Sequence, residues 1–350
     1  MRITRREFAG GIAAAAAVSI APASAGAKSA VRWSAAGLKA FRAKALELGI
    51  RALVVRSAGE TILSFGDVAT PYRIASIRKS FLGALFGIAV EQKKISLDVS
   101  LKDLGIDDYL RLTDAEKTAT VRQLLQSRSG IYLPTAAESP AMIAARPPRG
   151  SRAPGTHWWY NNWDFNALGE IYQRLTSQGL YTAMEHLLLR PLGFRDLDPV
   201  NHLRLVYNSD APRFPAYDMM MSSRDMAAFG EMILNQGRHK GRKIVSESWI
   251  VESTRVHSVT GHPPGLFSGY GYMWWVTATS PPTGSSAVPL PSYTAAGAGG
   301  RFIVVLPSLG TVAAMQPHTD PTPTPRGITL RPYETPTELI ALLAAASRER

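Results

Sequence analysis

The chain has 350 residues and no cysteine. That absence excludes disulfides, thiolate zinc sites, iron–sulfur clusters and a cysteine nucleophile together. No segment beyond the N-terminus reaches the roughly 18 uninterrupted apolar residues that a membrane helix needs. A Gly-x-Ser-x-Gly elbow is missing, as are a P-loop and a Gly-x-Gly-x-x-Gly turn, so α/β-hydrolase and nucleotide-binding readings lose their signatures. The seven histidines show no ligand spacing. The closest pair, His257 and His262, reads as surface residues, and neither a metal nor any other cofactor is expected. Charged residues make up only 19% against 45% hydrophobic, which leaves ample material for a core. The 39 basic and 27 acidic residues give +12, yet no run of five Lys/Arg exists, and the densest stretch is Arg238-His239-Lys240-Gly241-Arg242-Lys243. Dispersed positive charge argues for solubility rather than nucleic-acid binding.

Thr4-Arg5-Arg6-Glu7-Phe8 is a twin-arginine pattern. An uncharged, alanine-rich stretch follows, and Ala23-Ser24-Ala25 supplies small residues for cleavage. Residues 1–25 therefore read as a signal peptide for twin-arginine export, with an uncleaved tether as the alternative. The mature protein is expected to be periplasmic or secreted, without stable membrane insertion.

Apolar spacing predicts a helix over 34–48, strands over 52–56 and 61–65, and mainly helical structure from 76 to 240. Strand patterns return at 272–277, 293–296, 302–306 and 311–315, before a last helix over 337–347. Strands at both ends of a helical middle predict one sheet domain (26–75 with 241–350) and an inserted helical domain (76–240). Residues 133–157, 280–291 and 317–336 read as proline-rich loops.

Ser76-Ile77-Arg78-Lys79 carries the chemistry. A serine hydroxyl needs a base to become a nucleophile, and a lysine three residues on lies one helical turn away on the same face. That lysine must be partly neutral to accept a proton, which burial favours, and residues 80–90 hold no charge. Ser76 at the helix N-terminus would also place backbone N–H groups near an oxyanion. In Tyr160-Asn161-Asn162, the tyrosine can relay a proton, and the asparagine two residues on can hold both the lysine and a substrate carbonyl. Taken singly, each of these short patterns is weak.

Their order along the chain is more informative. Tyr72 to Ser80 is followed by Lys94-Ile95-Ser96-Leu97-Asp98, Thr120 to Leu125 with Ser129-Gly130, and Pro154-Gly155-Thr156 with Tyr160-Asn161-Asn162. Arg190-Pro191-Leu192-Gly193, Ser222 to Ala227 and Tyr270 to Trp275 complete the series. The set resembles the serine β-lactamase and penicillin-binding protein superfamily, closest to its class C-like branch with esterases and 6-aminohexanoate-dimer hydrolases. The resemblance implies an α+β, β-lactamase-like fold: an antiparallel sheet flanked by N- and C-terminal helices, plus an inserted all-α domain. It also implies acyl transfer through Ser76, with Lys79 as base, Tyr160 as proton relay, Asn162 orienting Lys79, and no cofactor.

One element departs from the family pattern. Where relatives carry Lys-x-Gly or His-x-Gly, this chain reads Ala295-Ala296-Gly297-Ala298-Gly299-Gly300-Arg301. Gly297, or Gly299 in a register shifted by two residues, would let backbone approach the substrate, and the N–H groups of Ser76 and Ala298 would form the oxyanion hole. Arg301 is a substitute cation or a structural arginine. His239-Lys240-Gly241 falls in a polar turn, and Glu231 reads as a solvated helical residue, so neither is expected in the site. Trp159 and Trp275 are candidates for an apolar substrate wall, against a competing role in packing. The expected partner is a small neutral ester or amide. The alternatives are a D-alanyl carboxypeptidase or β-lactamase on the same residues, and a non-catalytic cell-wall-binding module.

Overall fold

The computed structural model describes residues 31–206, 213–262, 266–277, 290–318 and 334–348. The expected signal peptide, most of the 280–291 loop and most of the 317–336 loop lie outside the described residues. Helix α1 (Ala35–Glu47) starts where the Ser34 hydroxyl accepts the Gly37 N–H, an N-cap one residue before the helix proper. Strands β1 (Ile50–Ser57) and β2 (Glu60–Gly66) form a hairpin about Ala58-Gly59. Next come β3 (Tyr72–Arg73) and α2 (Arg78–Glu91), the helix that carries the serine motif. Every residue of α2 from Arg78 to Ala89 is buried, as its uncharged run requires.

The middle of the chain holds α3 (Val121–Leu125), α4 (Pro140–Ala145) and α5 (Asn162–Thr176). It then departs from the helical expectation: β4 (Leu203–Val206) and β5 (Ala216–Met221) pair with each other, and β5 also pairs with β3. Ala-Tyr-Asp-Met-Met-Met lacks both alternation and β-branched residues, so its strand state comes from partners on two sides rather than propensity. Helix α6 (Ser223–Leu234) also corrects the expected boundary at 240, because it lies on the main sheet. A Cβ on its Gly230 would stand 2.6 Å from Val312 and 2.7 Å from Ile303.

After α7 (Glu247–Ser253) the chain adds β6 (Ser258–Val259), β7 (Gly269–Tyr270), β8 (Trp275–Val276), β9 (Tyr293–Gly297), β10 (Arg301–Leu306) and β11 (Thr311–Pro317). The strand expected over 272–277 shrinks to two residues, since Met273 turns with φ +59° and the Gly271 N–H reaches the Trp274 carbonyl. The eight-stranded sheet runs β2-β1-β11-β10-β9-β8-β7-β6, antiparallel throughout, so strands from both ends of the chain pair side by side within it. Strands β10 and β11 are buried along their whole length, which requires cover on both faces. Helix α6 supplies part of that cover, and α1 packs with α8 (Glu334–Ala346). This is the α+β arrangement the resemblance implies.

Candidate active site

Strand β3 leads into the serine motif. Its register pairs Tyr72 with Met221 and Arg73 with Met220, and the Ile74 N–H continues onto the Met219 carbonyl at 3.0 Å. The chain then turns through Ala75 at φ +49°, a left-handed conformation that disfavours a side chain, and enters the short 3-10 turn Ala75–Ile77 ahead of α2. Ser76 is half-buried at the head of that helix. The opposite wall is β9. A Cβ at Gly297 would lie 2.4 Å from the Ile74 carbonyl oxygen and 3.4 Å from the Ala75 Cβ, so glycine is needed where the strand crosses the turn that carries Ser76. Ala298 follows as an exposed turn residue.

Lys79, one turn after Ser76, is 1% exposed. Its Nζ lies 2.9 Å from Ser76 Oγ, 2.7 Å from Tyr160 OH and 2.7 Å from Asn162 Oδ1. Three contacts suit both protonation states of an amine. An ammonium donates to all three oxygens; a neutral amine donates to Asn162 Oδ1 and Tyr160, and turns its lone pair to the Ser76 hydroxyl. Burial first, and then the charge of Arg78, pull Lys79 well below the usual lysine range. The four residues singled out by chemistry therefore meet around one nitrogen.

The Tyr160 segment is set by a turn that sequence reasoning passed over. Ser127 Oγ donates to the Trp159 carbonyl (2.6 Å) and accepts the Asn161 N–H (2.8 Å). Asn161 caps α5 by accepting the Trp163 N–H, while its amide donates to the Ile131 carbonyl and to Asp164. Asp164 is fully buried and also accepts Ser129 Oγ (2.5 Å); burial pushes its carboxyl well up, opposed by the bonds from Ser129 and Asn161. The signal available was an asparagine directly before a helical pattern, an ordinary N-cap. Asn162 also differs from expectation. Its amide nitrogen faces the Ala137 carbonyl at 2.6 Å and the Met142 sulfur at 3.9 Å, so its donors are spent inside the protein rather than offered to a substrate carbonyl.

Trp275 is buried and stacks on Tyr160, with centroids 5.3 Å apart and planes at 20°; Tyr270 meets the same ring edge-on at 6.1 Å. Trp275 thus fixes the tyrosine ring, which accounts for it as packing. Trp159 is half-buried and makes no ring–ring contact among the described residues. Arg301 is buried, and its Nη1 donates to the Ala298 carbonyl, so it braces the turn after Gly297. Glu231 is not solvated as expected: it pairs with Arg56 at 3.1 Å on the sheet side of α6. His257 is no surface residue either, being stacked on Tyr272 at 4.3 Å with its Nε2 against the Glu252 carbonyl. His262 is half-buried with its ring edge against Trp275. Among the described residues no three His, Asp or Glu side chains group as a metal site.

A model of the Beta-lactamase family matches residues 48–331. Among solved structures, the fold is similar to that of a penicillin-binding protein homologue from Caulobacter crescentus, with a TM-score of 0.62 and 17% identity over 89% of this chain and 97% of that one. It is similar to a protein described as a 6-aminohexanoate-dimer hydrolase from Bacillus anthracis, with a TM-score of 0.61 and 17% identity over 87% and 81%. EstCE1, a hydrolase with promiscuous acyltransferase activity, gives a TM-score of 0.61 and 15% identity over 88% and 98%. At such identities the structural likeness speaks for the fold, whereas the family match covers most of the sequence. The chain belongs to the β-lactamase family.

Proposed function

We infer that the protein is a serine hydrolase that cleaves a small neutral ester or amide through an acyl-Ser76 intermediate. The observation that carries this reading is the Lys79 amine, buried and in hydrogen-bond contact with Ser76, Tyr160 and Asn162 at once. Ser76 Oγ attacks the substrate carbonyl carbon while its proton passes to Lys79 Nζ. The carbonyl oxygen becomes an oxyanion, for which the backbone N–H groups of Ser76 and Ala298 are the proposed donors. Tyr160 protonates the departing alcohol or amine and is reprotonated by Lys79, so the carbonyl–leaving-group bond breaks with no charge left behind. Water then attacks the ester on Ser76 by the reverse route. Lys79 and Tyr160 act as a pair, and the apparent titration of the base belongs to both.

The lack of a lysine or histidine at Ala295 supports a neutral substrate, because a carboxylate would be desolvated without a partner. Trp159 is the proposed substrate-facing ring. The twin-arginine pattern supports action in the periplasm or outside the cell. Fluorophosphonate labelling tests the core of this reading. The wild type is expected to label at Ser76 and to turn over short-chain esters or amides, whereas Ser76→Ala loses both and keeps its thermal midpoint. Labelling that persists at another serine removes Ser76 from the mechanism, and no labelling at all favours a binding module. Preferential turnover of D-alanyl peptides or β-lactams would select the carboxypeptidase or β-lactamase alternative.

A further inference from the structure

Arg78 lies inside the serine motif, yet none of the steps above uses it. It is 4% exposed, and its Nε and Nη2 are buried without a hydrogen-bond partner. Its remaining contacts are a long one from Nη1 to the Ala75 carbonyl (3.5 Å) and the face of Tyr217, 4.9 Å from the guanidinium carbon. No carboxylate among the described residues pairs with it. Asp218, on the strand that carries Tyr217, is already held by Arg73 at 2.6 Å. Arg78 is also the first residue of α2, at the positive end of the helix dipole, where a cation is disfavoured. A buried guanidinium with two unused donors opposes folding, so stability does not account for it.

Its position relative to the base does. Arg78 and Lys79 are consecutive buried residues at the head of α2, and after burial the Arg78 charge is the further influence that holds the Lys79 amine low. An arginine in a protein does not give up its proton, whereas a lysine does. The groups facing Lys79 are the Ser76 hydroxyl, Tyr160 ahead of α5, and Asn162 and Phe165 on α5, with Asp164 in the same first turn of that helix. Of these only Asp164 could offer a negative charge, and its oxygens are engaged by Ser129 and Asn161, in an environment that favours the neutral carboxyl. We propose that Arg78 is a positioning residue for the base: its unpaired buried charge keeps Lys79 as the free amine that accepts the Ser76 proton. The role rests on the acyl-serine reading and adds to it a second source of the base's neutrality beside burial.

The test measures the rate of fluorophosphonate labelling at Ser76, and ester turnover, as functions of pH. Protonation of Lys79 sets the acid limb, below which activity falls as pH falls. Removing a neighbouring positive charge makes Lys79 hold its proton to higher pH. In Arg78→Gln and Arg78→Met the limb should therefore move in the alkaline direction by about one pH unit or more. Labelling on the old limb should drop about tenfold or more, and should recover in alkaline buffer. Tyr217→Phe disturbs the same packing but keeps the guanidinium, and its limb should stay in place. The proposal is overturned if both neutral variants keep the wild-type limb, or if they lose the same factor at every pH, as a purely structural arginine would. It is also overturned if neither neutral variant folds, since the guanidinium would then serve the fold. Failure of the wild type to label at any pH would instead sink the acyl-serine reading, so the two failures are distinguishable.

Discussion

Ala295 stands where the family pattern calls for a cation, 1% exposed, on the same face of β9 as Gly297, the face that meets the nucleophile turn. Arg301, the one nearby basic candidate singled out from the sequence, is buried with its guanidinium on the Ala298 carbonyl. The enzyme should then favour a neutral substrate over a matched carboxylate-bearing one in kcat/KM. Ala295→Lys should move that ratio toward the anion by about tenfold to a hundredfold, the equivalent of roughly 1.5–3 kcal/mol for a charge-assisted contact. A wild type that already prefers the anion would mean that another cation reaches the cleft. At this scale much of the site is legible in the sequence, because Ser76, Lys79, Tyr160 and Asn162 announce their chemistry by residue type and spacing. The second bond of Asn162, to Ala137, is not legible, since it joins residues 25 apart across a loop with no periodicity to place it. The stacking of Trp275 on Tyr160 is hidden for the same reason.

Strand β9 and the nucleophile turn touch at Gly297, which makes the position of the serine a property of two elements rather than one. Gly297→Ala places a methyl 2.4 Å from the Ile74 carbonyl, inside contact distance with backbone that cannot swing aside. The expected result is a loss of about 1–3 kcal/mol in stability, typical of overpacking, with a fall in kcat of about tenfold or more as the turn is displaced. Denaturant midpoints and kcat on one ester check this, and an unchanged kcat would show that β9 does not hold the turn. Helices and long strands follow the sequence pattern closely: β1 and β2 extend the predicted runs by one or two residues at each end, and α1 loses one residue at each end. The elements that escape it are β4 and β5, whose residues become strands only because β5 finds neighbours on both sides. The 133–157 loop likewise contains α4, started by the Ser139 side chain on the Met142 N–H and a proline in the first turn.

Over the whole molecule, the N-terminal pattern and the sheet bear on the same life history. If the paired arginines are read by an export receptor, Arg5→Lys combined with Arg6→Lys should leave the precursor in the cytoplasm. Cell fractionation gives the answer, and normal periplasmic delivery of the double variant would refute the reading. The expectation of one sheet built from both ends of the chain is met by β1 pairing with β11, because alternation and apolar runs identify strands wherever they fall in the sequence. The helical insert is less faithfully drawn, since periodicity alone does not tell a helix that covers a sheet, such as α6, from one that packs among helices. The pairing of β1 with β11 also has a temporal side. A growing polypeptide carries Ser76 through most of its synthesis before β9 and β11 exist to back the nucleophile turn and close the sheet. Assembly of the site must therefore wait for contacts between distant parts of the chain, the kind that form slowly. Until they do, Ser76 is an ordinary hydroxyl beside a lysine that has not yet been shut away from water.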